Sequence, residues 1–257
     1  MPQPRESVNT IAPLANVSNL LSAMTSALES RNDDRIVVFF GHPGYGKTYA
    51  TNYVRSKLRG YRVECCSHWG RKALLEAICA EMGILPGNIN TMFNAIVHQL
   101  LTGIAEVDLN GQRVRIPRPL MIDEADHLVK NSCIELVRDL HDKGKGVVLL
   151  VGEEELPNKL LRWPRVHSRI IDPVRADPCD LEDLEHLGKL YCPKVTIAPD
   201  WFAELYKQTG GNTRRVCANL NRARAEAEAN QLTHIDLSVW GTRGWLTRVA
   251  ITKTKAV

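Results

Sequence analysis

Three groups of residues in this sequence have types and spacings that could do chemistry. The first is Gly41-His42-Pro43-Gly44-Tyr45-Gly46-Lys47-Thr48, which fits G-x-x-x-x-G-K-[ST] and runs on into Tyr49. Glycines at those places let successive backbone N–H groups wrap an anion, and a helix opening at Lys47 turns its positive end on the same point. Lys47 is then expected to neutralise charge on the outer phosphates of a nucleotide, and Thr48 to offer its hydroxyl to Mg²⁺. The second group is Leu120-Met121-Ile122-Asp123-Glu124, an apolar run that ends in two acids. An acid at the carboxyl end of a parallel strand stands where ligands bind in open α/β sheets. Asp123 is expected to hold Mg²⁺ through its water shell. Glu124 is expected to orient and polarise an attacking water, which points to hydrolysis of a nucleoside triphosphate rather than transfer of phosphate to a second substrate.

The third group is basic. Arg55, Lys57, Arg59, Arg62, Arg71 and Lys72 surround the single acid Glu64, with Tyr61, His68 and Trp69 interleaved. Arg214, Arg215, Arg222 and Arg224 form another stretch, and Arg243, Arg248, Lys253 and Lys255 accompany Trp240 and Trp245 at the end. Cations beside aromatics suit contacts to a phosphate backbone, which bring affinity with little sequence information. Each stretch also fits a solvated helix face. Arg222 and Arg224 stand at helical neighbour spacing from Glu226 and Glu228, which favours that plainer assignment there. Of the eight histidines, His42 lies inside the glycine loop and His127 follows the acid pair. Neither has a nucleophile-and-base constellation around it.

These groups need elements to position them. Leu14 to Ser30 reads as an amphipathic helix, with Leu14, Val17, Leu21, Met24 and Leu28 on one side. Ile36–Phe40, Tyr61–Cys66, Leu120–Ile122, Val147–Val151 and Arg169–Asp172 read as strands, and the segments between them carry helical periods, including Glu154–Trp163. Strands alternating with helices predict a parallel sheet covered on both faces, an α/β fold. Past about Ala176 the strand signals stop. Leu181–Leu190, Asp200–Gln208 and Thr213–Ala229 predict a small all-α lid. The expected organisation is an N-terminal arm and helix over 1–34, a nucleotide-binding core over 35–176, the lid over 177–239 and a basic tail over 240–257.

Composition bounds the rest. The 257 residues carry 33 Lys+Arg against 29 Asp+Glu, and the four cations of the tail account for the whole net charge of +4. That excludes a uniformly basic, histone-like protein. Seven cysteines with no C-x-x-C spacing exclude a zinc site of the usual kind and suit a reducing compartment. No apolar run approaches the ~18–20 residues of a membrane span, and the N-terminus has no signal architecture, so a cytoplasmic location is expected. Asp123-Glu124-Ala125-Asp126 spells a helicase motif, but such helicases need two tandem sheet domains, and one glycine loop in this length supplies one.

The sequence resembles an AAA+ ATPase over about Asp34 to Ala229. More narrowly, it resembles the DNA-transposition ATPases of the phage Mu B, TniB and TnsC type. The stretches that carry the likeness are FFGHPGYGKT, PLMIDEADHL, VVLLVGEEEL, RWPRVHSRI and TGGNTRRVCANL. The resemblance implies a P-loop NTPase core with a five-stranded parallel sheet in the order 5-1-4-3-2, using ATP and Mg²⁺. It implies that Arg214 is the lid arginine that reaches the nucleotide. Arg169, with Arg165 as the runner-up, would be the arginine finger inserted into a neighbouring subunit's site. Glu153 stands where the group usually has a neutral sensor, so it would repel phosphate and slow turnover. The same likeness implies a homo-oligomeric ring or filament on double-stranded DNA, a transposase as partner, contacts from Arg71 and Lys72 to the duplex, and residence in a bacterial host cytoplasm if phage- or transposon-encoded. A regulatory AAA+ ATPase acting on proteins in secretion or signalling, and a helicase loader or replication initiator, are the alternatives.

Overall fold

The five strand segments found by apolar patterning assemble into one parallel sheet in a computed structural model that describes residues 14–30, 34–107 and 112–247. In chain order the elements are α1 (Ala15–Glu29), β1 (Ile36–Phe40), α2 (Lys47–Leu58), β2 (Tyr61–Glu64), α3 (Arg71–Met82), α4 (Ile89–Thr102), β3 (Ile104–Val107), β4 (Arg113–Ile116), β5 (Leu120–Asp123), α5 (Asp126–Lys130), α6 (Ile134–Gly144), β6 (Val148–Gly152), α7 (Leu156–Leu160), α8 (Pro164–His167) and β7 (Ile170–Arg175). They continue with α9 (Leu181–Tyr191), β8 (Thr196–Ile197), α10 (Pro199–Thr209), α11 (Thr213–Asn230), β9 (His234–Ile235) and α12 (Leu237–Trp240). The sheet order is β2-β5-β6-β1-β7. Numbered among themselves and read from the β7 edge, the five strands follow the expected 5-1-4-3-2.

Sequence explains the layering. The central strands β1 and β6 are near-continuous apolar runs because helices cover both faces of the sheet. Ile36, Val38, Phe39, Val148, Leu149, Leu150 and Val151 are all fully buried. The register runs from Ile36 opposite Val148 to Phe40 opposite Gly152, so β1 and β6 end level with one another. β5 pairs with β6 and β2 with β5, which sets Glu64 opposite Asp123. A helix over α1 is confirmed, but its buried side centres on Val17, Leu20, Met24 and Ala27, with the expected Leu21 and Leu28 only half-buried.

The described residues divide into two compact units, one over Asn16–Asp177 and one over 178–247 with Leu14 and Ala15. The second is not all-helical. β8 and β9 pair in parallel, Thr196 opposite His234 and Ile197 opposite Ile235. Strands of two residues carry no readable period, which is why the sequence shows only helices there. Its core is aromatic: Trp201 packs edge-on to Trp240 at 5.4 Å between ring centres and tilted on Trp245 at 5.1 Å. Trp240 and Trp245, read from the sequence beside tail cations, are therefore packing residues. Arg222 sits 5.8 Å over the Trp240 ring, and Arg243 pairs with Glu226 at 3.2 Å.

Within the first unit, two more segments depart from the sequence reading. β3 and β4 form an antiparallel hairpin, Ile104 opposite Ile116, where no strand is expected. Of the predicted helix over Glu154–Trp163 only α7 forms, and a separate short helix, α8, opens beyond it at Pro164. The N-terminal arm, Arg248, Lys253 and Lys255 lie outside the described residues. Among the described residues no helix is long and apolar enough to cross a membrane.

Candidate functional site

β1 delivers the glycine loop and α2 closes it. Gly44 and Gly46 have φ of 87° and 79°, left-handed conformations that cost glycine nothing and a side chain a good deal. Gly41 is needed for a different reason. A Cβ there would stand 2.7 Å from the Ala176 carbonyl oxygen, so only glycine lets the end of β1 lie against the continuation of β7. Lys47 Nζ donates to the Gly41 and His42 carbonyls at 2.7 and 3.1 Å, within the loop it is expected to serve. Burial pulls the Lys47 ammonium below its ordinary pKa, while Glu124 and Asp123 act in the opposite sense. His42 Nδ1 lies 2.5 Å from Glu154 Oε2, and its ring meets Tyr45 edge-on. Thr48 is exposed on the first turn of α2, Tyr49 is half-buried beside it, and Pro43 is exposed in the loop.

β5 delivers the acids one strand removed from β1, with β6 between them. Asp123 is buried, and both its oxygens are engaged. Oδ1 accepts the Glu124 N–H at 3.0 Å and Oδ2 accepts Arg62 at 2.6 Å. Glu124 holds φ at +56°, a left-handed conformation for a residue with a side chain. Such a position costs on the order of 1 kcal/mol and persists where surrounding bonds determine it. Here the Ala125 N–H donates to the Val151 carbonyl at 2.8 Å and the His127 N–H to the Glu124 carbonyl at 3.1 Å. Burial first, then the neighbouring Asp123, raises the Glu124 carboxyl above its ordinary pKa, against His127 and Lys47. A carboxyl raised in this way is, once ionised, a better proton acceptor than a free carboxylate.

Two residues of the site have no signal in the local sequence. Asp126 Oδ2 accepts the Glu153 N–H at 2.7 Å and its Oδ1 accepts Lys159 Nζ at 2.6 Å, so it ties the end of β6 to α7. Gly152 is glycine because a Cβ would come within 2.3 Å of Asp126 Oδ2. Glu153 itself is exposed, and it lines a cleft of about 610 Å³ with Glu124, Lys159 and Trp163.

The donors fit a magnesium nucleotide better than a metal alone. Among the described residues no cluster of three or more His, Cys, Asp or Glu could hold a metal ion. Mg²⁺ is commonly held through one or two carboxylates and substrate phosphates, and Thr48 with Asp123 is such a partial set. The glycine nest supplies the matching anion site. Residues 30–160, about half the chain, match the family described as AAA domain. The chain belongs to the AAA domain family.

Solved structures with similar folds confirm the architecture of this AAA protein. RuvB of Thermotoga maritima superposes with a TM-score of 0.57 at 19% identity, over 89% of this chain and 67% of that one. Orc1 of Aeropyrum pernix gives 0.56 at 20% identity, over 86% and 62%. Domain III of Thermotoga maritima DnaA gives 0.54 at 14% identity, over 90% of both chains. No curated protein matches at the sequence level.

The arginines assigned by resemblance to AAA+ proteins sit in different settings. Arg169 precedes β7 and forks onto Asp142, Nε to Oδ1 at 3.0 Å and one terminal nitrogen to Oδ2 at 3.2 Å. Arg165, on α8, is exposed and makes no ion pair among the described residues. Arg214 is exposed on the first turn of α11. That helix starts where it does because Gly211, at φ 69°, passes within 2.4 Å (Cβ position) of the Cys179 carbonyl and Asn212 then caps the Arg215 N–H at 3.3 Å. Arg71 and Lys72 are exposed at the start of α3, with Lys72 3.6 Å from Glu76. The rest of that basic stretch is not one face. Arg55 pairs with Glu81 at 2.7 Å, and Arg62 turns inward to Asp123.

Proposed function

We propose that this chain binds ATP with Mg²⁺ and hydrolyses it, and that it does so as an assembly of identical subunits on duplex DNA. The observation that carries the reading is the left-handed, bonded Glu124 that follows β5, near enough to Lys47 of the glycine loop for its charge to act on that ammonium. The loop N–H groups and Lys47 would hold the phosphates, and Thr48 and Asp123 would hold Mg²⁺, which when bound neutralises charge on the phosphate oxygens. Glu124 would take the proton of the attacking water. In trans, Arg169, with Arg165 as the runner-up, would complete a neighbour's site, and Arg169 would first have to leave Asp142. Arg214 would contact the nucleotide from the lid.

Three similar folds support a DNA role. RuvB is a Holliday junction branch migration motor, Orc1 was solved in complex with DNA, and DnaA is a replication initiation protein. Arg71 and Lys72 would carry phosphate contacts. The five stretches that resemble Mu B, TniB and TnsC support a narrower role, the selection and activation of target DNA for a transposase.

Steady-state ATPase assays test the core of this. Lys47→Ala should lose nucleotide binding, and Glu124→Gln should bind ATP yet turn over at least about a hundredfold more slowly. Equal turnover by Glu124→Gln would refute the hydrolytic assignment. Electron microscopy with ATP separates the finer readings: filaments that need DNA support the transposition role, and closed rings indifferent to DNA contradict it.

A further inference from the structure

The nucleotide chemistry proposed for this chain leaves α1 without a role, yet the second residue of α1 reaches the phosphate loop. Asn16 is a polar residue in the apolar stripe of that helix, only 5% exposed among Val17, Leu20 and Met24. Its amide is nearly saturated. Nδ2 donates to the Tyr45 carbonyl at 3.0 Å and to the Asp177 carbonyl at 2.7 Å, and Oδ1 accepts the Asp177 N–H at 3.0 Å. One side chain therefore holds the middle of the phosphate loop and the last residue of the core unit.

The contact with Tyr45 has a directional consequence. In a planar trans peptide the carbonyl and the N–H point opposite ways, so fixing the Tyr45 carbonyl fixes the direction of the Gly46 N–H. Tyr45 lies between Gly44 and Gly46, at φ 87° and 79°, and glycine's low torsional barriers leave the peptide planes here free to rotate unless something holds them. The Gly46 carbonyl is already committed to the Ala50 N–H at 2.9 Å. Asn16 supplies the missing constraint on the preceding plane. Aspartate would set an acceptor against two carbonyl oxygens, and serine is too short to reach both strands of chain.

We propose that Asn16 is a positioning residue for phosphate binding: it locks the Tyr45–Gly46 peptide with the Gly46 N–H aimed at the nucleotide, and ties that orientation to Asp177 at the end of the core. This rests on the nucleotide-binding reading, and the test separates the two.

The experiment titrates a fluorescent ADP analogue into the full chain, comparing wild type with Lys47→Ala, Asn16→Ala and Asn16→Asp at about pH 8 and about pH 6. Each variant is normalised to wild type at the same pH. Asn16→Ala should bind about tenfold more weakly at both pH values, the scale of one well-aimed hydrogen bond. Asn16→Asp should bind more weakly still at the higher pH and recover at the lower, because a protonated carboxyl regains one O–H donor for the carbonyls. A merely structural role for position 16 gives no such recovery. Wild-type affinity in both variants, or a deficit in Asn16→Asp that ignores pH, overturns the proposal while Lys47→Ala still abolishes binding. If Asn16→Asp does not fold, Asn16→Ala decides: a tenfold loss supports the proposal and unchanged affinity overturns it. If Lys47→Ala binds like wild type, the nucleotide reading fails first.

Discussion

The ion pair between Arg62 and Asp123 gives the sharpest test of how the site is held together. The side chains are 15% and 5% exposed and meet at 2.6 Å, so the pair is largely withdrawn from solvent. Breaking one partner of a buried pair leaves an uncompensated charge and costs about 3–5 kcal/mol when nothing else can take it up. The two halves differ here. With Asp123→Asn, Arg62 keeps Glu64 at 3.1 Å, itself 61% exposed, so the loss should fall below that range, at about 2 kcal/mol. With Arg62→Met, Asp123 keeps, among the described residues, the Glu124 N–H at 3.0 Å, so the loss should be larger, about 3 kcal/mol. The double variant removes both charges and should lose little more than the worse single one, which implies a coupling energy of about 2 kcal/mol. For a chain of this size, about 2–4 °C of melting temperature corresponds to each kcal/mol, so Arg62→Met should melt about 6–12 °C below wild type. Thermal and urea melts of the four proteins close the cycle. Single losses that simply add, within about 0.5 kcal/mol, would refute the pairing.

Three further outcomes follow from the same geometry. Gly41→Ala places a Cβ 2.7 Å from a backbone oxygen that cannot swing away, so it should cost about 1–3 kcal/mol and weaken nucleotide binding. Gly244→Ala meets nothing within 4 Å and should stay within about 0.5 kcal/mol of wild type; equal melting of both variants sinks the steric argument. Glu124 has a raised folded-state pKa, so its ionised form destabilises the fold above that pKa, and the cost vanishes below the ordinary carboxylate value. Glu124→Gln should therefore be the more stable protein at neutral and alkaline pH, and its advantage should shrink on acidification; an advantage that grows as pH falls has the wrong sign. Finally, burial pushes the Cys65 and Cys179 thiols up to about 12, whereas Cys66 is exposed. Iodoacetamide should label Cys66 well before either, and mass mapping that finds Cys65 modified equally fast would contradict the burial.

Much of the core was legible because its chemistry is contiguous in the chain. The glycine loop follows an apolar strand and opens a helix, and the acid pair ends another strand, so local pattern located both. The sheet order is what the family resemblance implies, and the observed order β2-β5-β6-β1-β7 bears it out. The lid pair β8–β9 was not legible, since two residues on each side define no period. The tryptophans show the opposite failure. Trp240 and Trp245 sit among cations in the sequence and look like a phosphate-binding edge. In the fold Trp240 is 2% exposed against Trp201, and burying large rings outweighs a charge pattern on neighbouring residues.

The remaining site residues were hidden by sequence distance rather than by ambiguous chemistry. Arg62 meets Asp123 across 61 positions, Lys159 meets Asp126 across 33, and Asn16 meets Tyr45 across 29 and Asp177 across 161. No window of local periodicity spans such gaps. For Arg62, however, a signal was present. In a strand, alternate residues share a face, so within Tyr61-Arg62-Val63-Glu64 the apolar Tyr61 and Val63 must face one way and Arg62 and Glu64 the other. An arginine paired with a glutamate two residues on, in a strand beside the one that ends in the acid pair, is already committed to a carboxylate. In a strand, charge is a property of the face and not of the segment. Applied to this strand, that distinction takes Arg62 out of the basic stretch, whereas Arg71 and Lys72, on helix α3, stay exposed.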